Sequence, residues 1–260
     1  MQSSPRLDHG VVGNGRVLAL VSPVGSIDWL CLPRFDSPSM FARLLDPNGG
    51  TFAVLAPEAE VTGRLTYLPN TNVLSNRFEH DGAAWEIIDF APRVPTGLDV
   101  HVPIEVVRLI RPIAGQPKLT VVFDPKPDYG RVAPLLVETG HGIEVRGGRV
   151  PLNLETNLPA PYVLGRRPFV LKEPVYFVLT HGGRASAPDL ASVDRQLELT
   201  VAGWRRWAKT CALPSFAPRR ACARRAHPSP HTSQAASRST RAPTAGATPA
   251  CPSSGPSQCG

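Results

Sequence analysis

The stretch Gly25–Leu45, GSIDWLCLPRFDSPSMFARLL, decides how the rest of the chain is read. It opens on a turn at Val24-Gly25, and Ile27–Leu32 is then an almost wholly apolar run of strand length. Pro33 stops that run, because proline has no amide hydrogen to give to a neighbouring strand. Ser37-Pro38 next predicts a helix start, with a serine able to cap and a proline at the first helical position. Met40, Phe41, Leu44 and Leu45 would share one face of that helix. Between strand and helix stand Arg34, Phe35 and Asp36, an aromatic ring flanked by opposite charges, which is dense chemistry for a connecting loop.

Outward from this centre the pattern is of short strands and turns. Val17–Val21, Thr51–Leu55, Ile104–Ile110, Leu119–Phe123, Phe169–Leu171 and Val175–Thr180 are apolar or β-branched runs bounded by glycine and proline. Residues 71–91 predict a hairpin turning at Asp81-Gly82: Leu74, Asn76 and Phe78 alternate with Val73, Ser75 and Arg77, and Trp85, Ile87 and Asp89 with Glu86, Ile88 and Phe90. A second hairpin is expected over Ile143–Leu154, with its turn at Gly147-Gly148. Strands at this spacing argue for a large antiparallel β-sandwich, a mainly β fold. Leu190, Val193, Leu197, Val201, Trp204, Ala208 and Cys211 then follow steps of three and four, so one amphipathic linker helix is predicted over 186–213. Ser186 and Asp189 look like its capping box, Pro214 its stop, and Gly203 a place for a bend.

The 44 residues from 217 to 260 contain six arginines, no acid, and no Leu, Ile, Val, Met or aromatic residue. Such a segment buries nothing against an ordering entropy of ~1–2 kcal/mol per residue, so 214–260 is expected to be a disordered basic tail. The tail also accounts for most of the net charge of +7, since residues 1–216 hold 22 basic against 21 acidic side chains. The arginines are neither clustered nor interleaved with aromatic rings, which argues against a specific nucleic-acid site. Of the five cysteines, Cys31, Cys211, Cys222, Cys251 and Cys259, none forms a C-x-x-C pair. That odd, unpatterned set suggests free thiols, and with no secretory leader and no run of ~18–20 apolar residues the expectation is a cytoplasmic protein that does not enter the membrane.

The Gly25–Leu45 stretch resembles the signature of the trehalase-like N-terminal domain that begins bacterial glucoamylases and trehalases of glycoside hydrolase family 15. Gly13-Asn14-Gly15-Arg16, Ile88-Asp89-Phe90 with Pro92, Asp128-Tyr129-Gly130-Arg131 and Trp204-Arg205-Arg206-Trp207 agree in order, so the resemblance covers roughly residues 8–216. It implies a β-sandwich over 1–185 and a helix leading to an (α/α)6 barrel that would carry two catalytic glutamates. After Leu213-Pro214 the sequence does not continue as that barrel would. A reading-frame slip near Arg219 in a GC-rich gene would produce such a change to Arg, Ala, Pro, Ser, Gly and Cys.

The resemblance therefore implies an α-glucoside or oligosaccharide as substrate of the intact family, with no cofactor, and a fragment inactive by itself. A separately encoded catalytic barrel is one partner it would suit, and self-association through a barrel-docking face left bare is another outcome. Inverting hydrolysis needs two carboxyl groups ~6.5–9.5 Å apart, and nothing in the spacing of Asp28, Asp36, Glu86 and Asp89 marks such a pair. Trp29, Arg34 and Asp36 are the candidates for a substrate- or interface-facing site, since an aromatic platform beside a charged hydrogen-bonding pair suits a sugar. The competing reading puts Trp29 in the core and uses Arg34–Asp36 to pin the loop. A free-standing carbohydrate-binding or interaction module is the alternative to an enzyme's leading domain. Gly13-x-Gly15 lacks the third glycine and the following helix of a dinucleotide site and reads as a turn. His227 and His231 are separated by prolines that bar the helix needed to bring them onto one face, so no metal is expected there.

Overall fold

The computed structural model describes residues 8–97, 99–148 and 151–211. The expected tail, Pro214 and the His227/His231 pair lie outside the described residues. One sheet contains β1 (Gly10–Gly13), β2 (Leu18–Val21), β3 (Ser26–Cys31), β5 (Thr51–Leu55), β12 (Lys118–Asp124) and β16 (Phe169–Val170) in that spatial order, with β4 (Ser39–Phe41) paired to β3. The second runs β13 (Leu135–Thr139), β14 (Gly142–Arg146), β15 (Leu152–Thr156), β17 (Val175–His181), β11 (Glu105–Ala114), β8 (Ala83–Phe90), β7 (Leu74–His80) and β6 (Arg64–Tyr67). A small ribbon pairs β9 (Val94–Thr96) with β10 (Asp99–His101), and the described helices are α1 (Ala160–Leu164) and α2 (Leu190–Thr210). The paired strands run antiparallel, as the mainly β reading requires.

The period-two pattern explains the layers. On β8, Trp85, Ile87 and Ala91 just beyond it join the core between the sheets, together with Ile27, Phe52 and Val121 of the first sheet. Ile88 and Phe90 point the other way and meet Val193 and Leu197 of α2 in a second core with Val107, Leu109 and Val178. The second sheet is thus covered on both faces, by the first sheet and by the helix, which is why β8 and β11 read as nearly continuous apolar runs. The Asp81-Gly82 hairpin forms as expected, with φ of 47° and 70° and His80 opposite Ala83, the primed two-residue turn that matches strand twist.

Side chains also tie the sheets together through main-chain oxygens. Arg108 and Asp89 face each other across β11 and β8, both fully buried, with Nε–Oδ1 at 2.8 Å and Nη2–Oδ2 at 3.1 Å. The remaining guanidinium nitrogen, Nη1, crosses the core and donates to the carbonyls of Gly25 (3.0 Å) and Phe52 (2.8 Å) in or beside the first sheet. Asn14 does similar work at the edge. Its Oδ1 accepts from the amides of Arg16 and Val17, and its Nδ2 donates to the carbonyls of Pro92 and Pro103. In the Gly13-Asn14-Gly15-Arg16 segment the buried Asn14 side chain therefore clamps an exposed turn, with Gly15 at φ 94°.

Two local expectations are corrected, and Gly203 gains a packing role. The segment after Ser37-Pro38 is strand β4, not a helix. Ser37 spends its hydroxyl accepting from the Arg34 amide (3.2 Å), while its own amide returns to the Arg34 carbonyl (3.1 Å), so no cap is available. Asp189, not Ser186, caps α2, accepting from the Ser192 amide at 2.7 Å. Ser186 is drawn instead to Glu105, to which it donates through both amide (2.8 Å) and hydroxyl (2.5 Å). Gly203 serves close packing: a Cβ there would lie 2.7 Å from the carbonyl oxygen of Arg93.

Candidate functional site

Strand β3 ends at Cys31, and the chain turns at Arg34–Ser37 before returning as β4. Arg34 and Asp36 form a bidentate pair on this turn, Nε–Oδ1 at 2.9 Å and Nη2–Oδ2 at 3.0 Å. Both side chains remain more than half exposed, at 69% and 54%, so the pair is a solvated feature rather than a buried anchor. Hydrogen bonding from Arg34 holds the Asp36 carboxyl below its ordinary range, outweighing desolvation. Burial, then the charge of Asp36, pushes the Cys31 thiol up, which leaves it an inert core side chain. Phe35 projects from the turn, 60% exposed.

Trp29 sits apart from this pair in chain geometry. It is half-buried on β3 opposite Leu20, at a bulge where Asp28 is the extra residue. Asp28 anchors the bulge, with His9 Nε2 at 3.2 Å from one carboxylate oxygen and Thr51 Oγ1 donating to the other at 3.2 Å. Among the described residues no hydrogen bond joins Trp29 to Arg34 or Asp36. The four carboxylates considered as possible acids are each engaged elsewhere: Asp28 with His9 and Thr51, Asp36 with Arg34, Glu86 with Ser75, and Asp89 with Arg108. No cluster of three metal-ligating side chains occurs among the described residues.

A second loop adjoins the turn. The amide of Lys126 donates to Met40 (2.8 Å) and that of Tyr129 to Ser39 (3.4 Å), laying the segment after β12 along β4. Asp128, Tyr129 and Gly130 have φ of 53°, 57° and 76°, a left-handed turn closed by Gly130 to Lys126 and Arg131 to Asp128. Left-handed backbone costs ~1–2 kcal/mol for a residue bearing a Cβ, most of all for a bulky one such as tyrosine. Tyr129 recovers little of that by burial, since it is 53% exposed, with the Arg131 guanidinium 5.7 Å from its ring centroid. Asp-Tyr-Gly-Arg was legible as a motif, and Asp and Gly are both turn residues, but its neighbourhood with β4 required the strand pairing. A groove of about 410 Å³ opens elsewhere, lined by Val24, Arg43, Glu58, Glu60 and Trp85 among others.

Residues 2–159 match the family described as "Trehalase-like, N-terminal". The chain belongs to that family. A trehalase of Thermoplasma volcanium is 28% identical over 211 residues, covering 78% of this chain and 33% of that protein. Trehalase 1 of Sulfolobus acidocaldarius is 36% identical over 135 residues (52% of this chain, 22% of the relative). A trehalase of Mycolicibacterium smegmatis is 30% identical over 142 residues (50% and 21%). This trehalase-like domain thus spans a third or less of the length of these curated relatives. No solved structure matches it. Among the described residues no helix is long and apolar enough to cross a membrane.

Proposed function

We propose that the chain acts as the non-catalytic leading domain of a trehalase-like glycoside hydrolase that cleaves an α-glucoside, and that it releases no sugar by itself. The observation carrying this reading is the family match over residues 2–159 on a sandwich whose candidate acids are each held by a structural partner. The acid and base of hydrolysis would come from a catalytic barrel, whether joined to this domain or encoded separately. The domain's share is to present the Arg34–Ser37 turn, with Trp29 behind it on β3, toward substrate or toward that barrel. A cytoplasmic setting and self-association through an uncovered face belong to the same proposal.

The test is a hybrid: replace the N-terminal third of the Thermoplasma volcanium trehalase with the matching part of this chain and follow trehalose hydrolysis. Activity within about tenfold of the parent supports a leading domain. A folded hybrid with no turnover, or glucose release by this chain alone, refutes it.

A further inference from the structure

We infer that the Arg34–Ser37 and Asp128–Arg131 turns together form a saccharide-binding platform on this chain, with Tyr129 and Phe35, rather than Trp29, as its stacking faces. The inference rests on the reading of Arg34 and Asp36 as sugar-facing and adds the residues and the ligand class. Two turns far apart in sequence carry the same chemistry. Each sets one exposed aromatic ring among an aspartate and an arginine: Phe35 between Arg34 and Asp36, Tyr129 with Asp128 and Arg131. The amides of Lys126 and Tyr129 donate to the Met40 and Ser39 carbonyls of β4, the strand that leaves the first turn, which joins the second turn to it.

Three features select the ligand. The two arginines and two aspartates cancel in charge, so the surface offers no net attraction to an anion, a cation or nucleic acid. The rings stand singly among charged groups rather than merging into one apolar patch, which disfavours a broad protein interface. A neutral oligosaccharide meets both conditions, because its C–H faces stack on rings while its hydroxyls bridge carboxylate and guanidinium groups. Two platforms call for two or more hexose units. The left-handed turn supplies an independent sign: Tyr129 holds a costly backbone conformation while keeping its ring in solvent, a strain that burial of its own side chain does not explain.

The experiment titrates the 260-residue chain with maltotetraose and with trehalose, reading saturation-transfer NMR of the sugar. Tyr129→Asn keeps a residue that tolerates left-handed backbone and removes the ring; Tyr129→Phe keeps the ring. The expected result is saturable binding of maltotetraose in the wild type, weakened at least tenfold in Tyr129→Asn and Phe35→Ala. Tyr129→Phe should stay within about twofold of wild type. Tyr129→Asn should also melt no lower than the wild type, because it relieves backbone strain while destroying the site. No transfer in the wild type, binding untouched by Tyr129→Asn, or a Tyr129→Asn variant that melts well below wild type would each overturn the platform. An active trehalase hybrid without saccharide binding sinks the platform alone; binding by this chain beside a folded but inactive hybrid sinks the leading-domain reading alone.

Discussion

Arg108→Ala offers the sharpest test of how the two sheets are held. The substitution leaves the Asp89 carboxylate fully buried with its bidentate partner gone, and it withdraws the donor from the carbonyls of Gly25 and Phe52. Removing one member of a buried pair costs ~3–5 kcal/mol, mostly because the survivor is left uncompensated. Against a total stability of ~5–15 kcal/mol that is a large share. For a domain of this size ~1 kcal/mol corresponds to ~2–4 °C in Tm, so the melting temperature should fall by roughly 8–16 °C for a loss of ~4 kcal/mol. The companion variant, Asp89→Leu with Arg108→Met, removes both charges and should recover ~2–3 kcal/mol of the loss. Full recovery is not expected, since the two carbonyls still lack the donor. Urea unfolding of the wild type, Asp89→Leu, Arg108→Met and the double variant closes the cycle, with Arg108→Ala measured beside it. If Arg108→Ala lies within ~1 kcal/mol of wild type, or the double variant is no more stable than that single one, the account of this pair is wrong.

Gly203→Ala should destabilise by ~1–2 kcal/mol although alanine is the better helix former, because its methyl would press on the Arg93 carbonyl oxygen; a rise in Tm would contradict the close packing. Asn14→Asp should be at least as damaging as Asn14→Ala at neutral pH, since a carboxylate would replace the donor that serves Pro92 and Pro103 with an acceptor. Burial, partly offset by bonds from Ser186 and Gln196, raises the carboxyl of Glu105, so its folded form keeps a proton to higher pH than the unfolded chain does. The stability this brings is complete below the unfolded value of ~4.3 and is lost as pH rises through the folded value. The Tm of Glu105→Gln relative to wild type should therefore climb over that window, and a flat or falling difference would refute it. Leu18, Leu20 and Trp29 are only half-buried on the first sheet, so light scattering should show association that grows with concentration; a single monomeric species throughout would count against it.

How much of this was legible depended on whether the deciding contact was local. β7 and β8 were readable because alternation and the Asp81-Gly82 turn act within one hairpin. β6, β9 and β13 were not: they are short and largely solvent-facing, so their sequences carry little apolar periodicity. Ser37 and Ser186 both had the chemistry of helix caps, yet each found another partner, the Arg34 amide in one case and Glu105 in the other. The pairing of Arg108 with Asp89 follows from cross-strand register over 19 positions, which no spacing rule in the sequence reveals. At the candidate site, the Arg34–Asp36 contact was readable because it is local, whereas the nearness of Tyr129 depended on β4 existing at all.

The double cover on the second sheet leaves an asymmetry in what the domain is free to change. Side chains along β8 and β11 enter one core or the other in alternation, so neither face of those strands is free to vary. The turns around Arg34 and Tyr129 leave strands of the other sheet, outside the second core that α2 closes. Related sequences could therefore diverge in what those turns grip while keeping the interior beneath them unaltered.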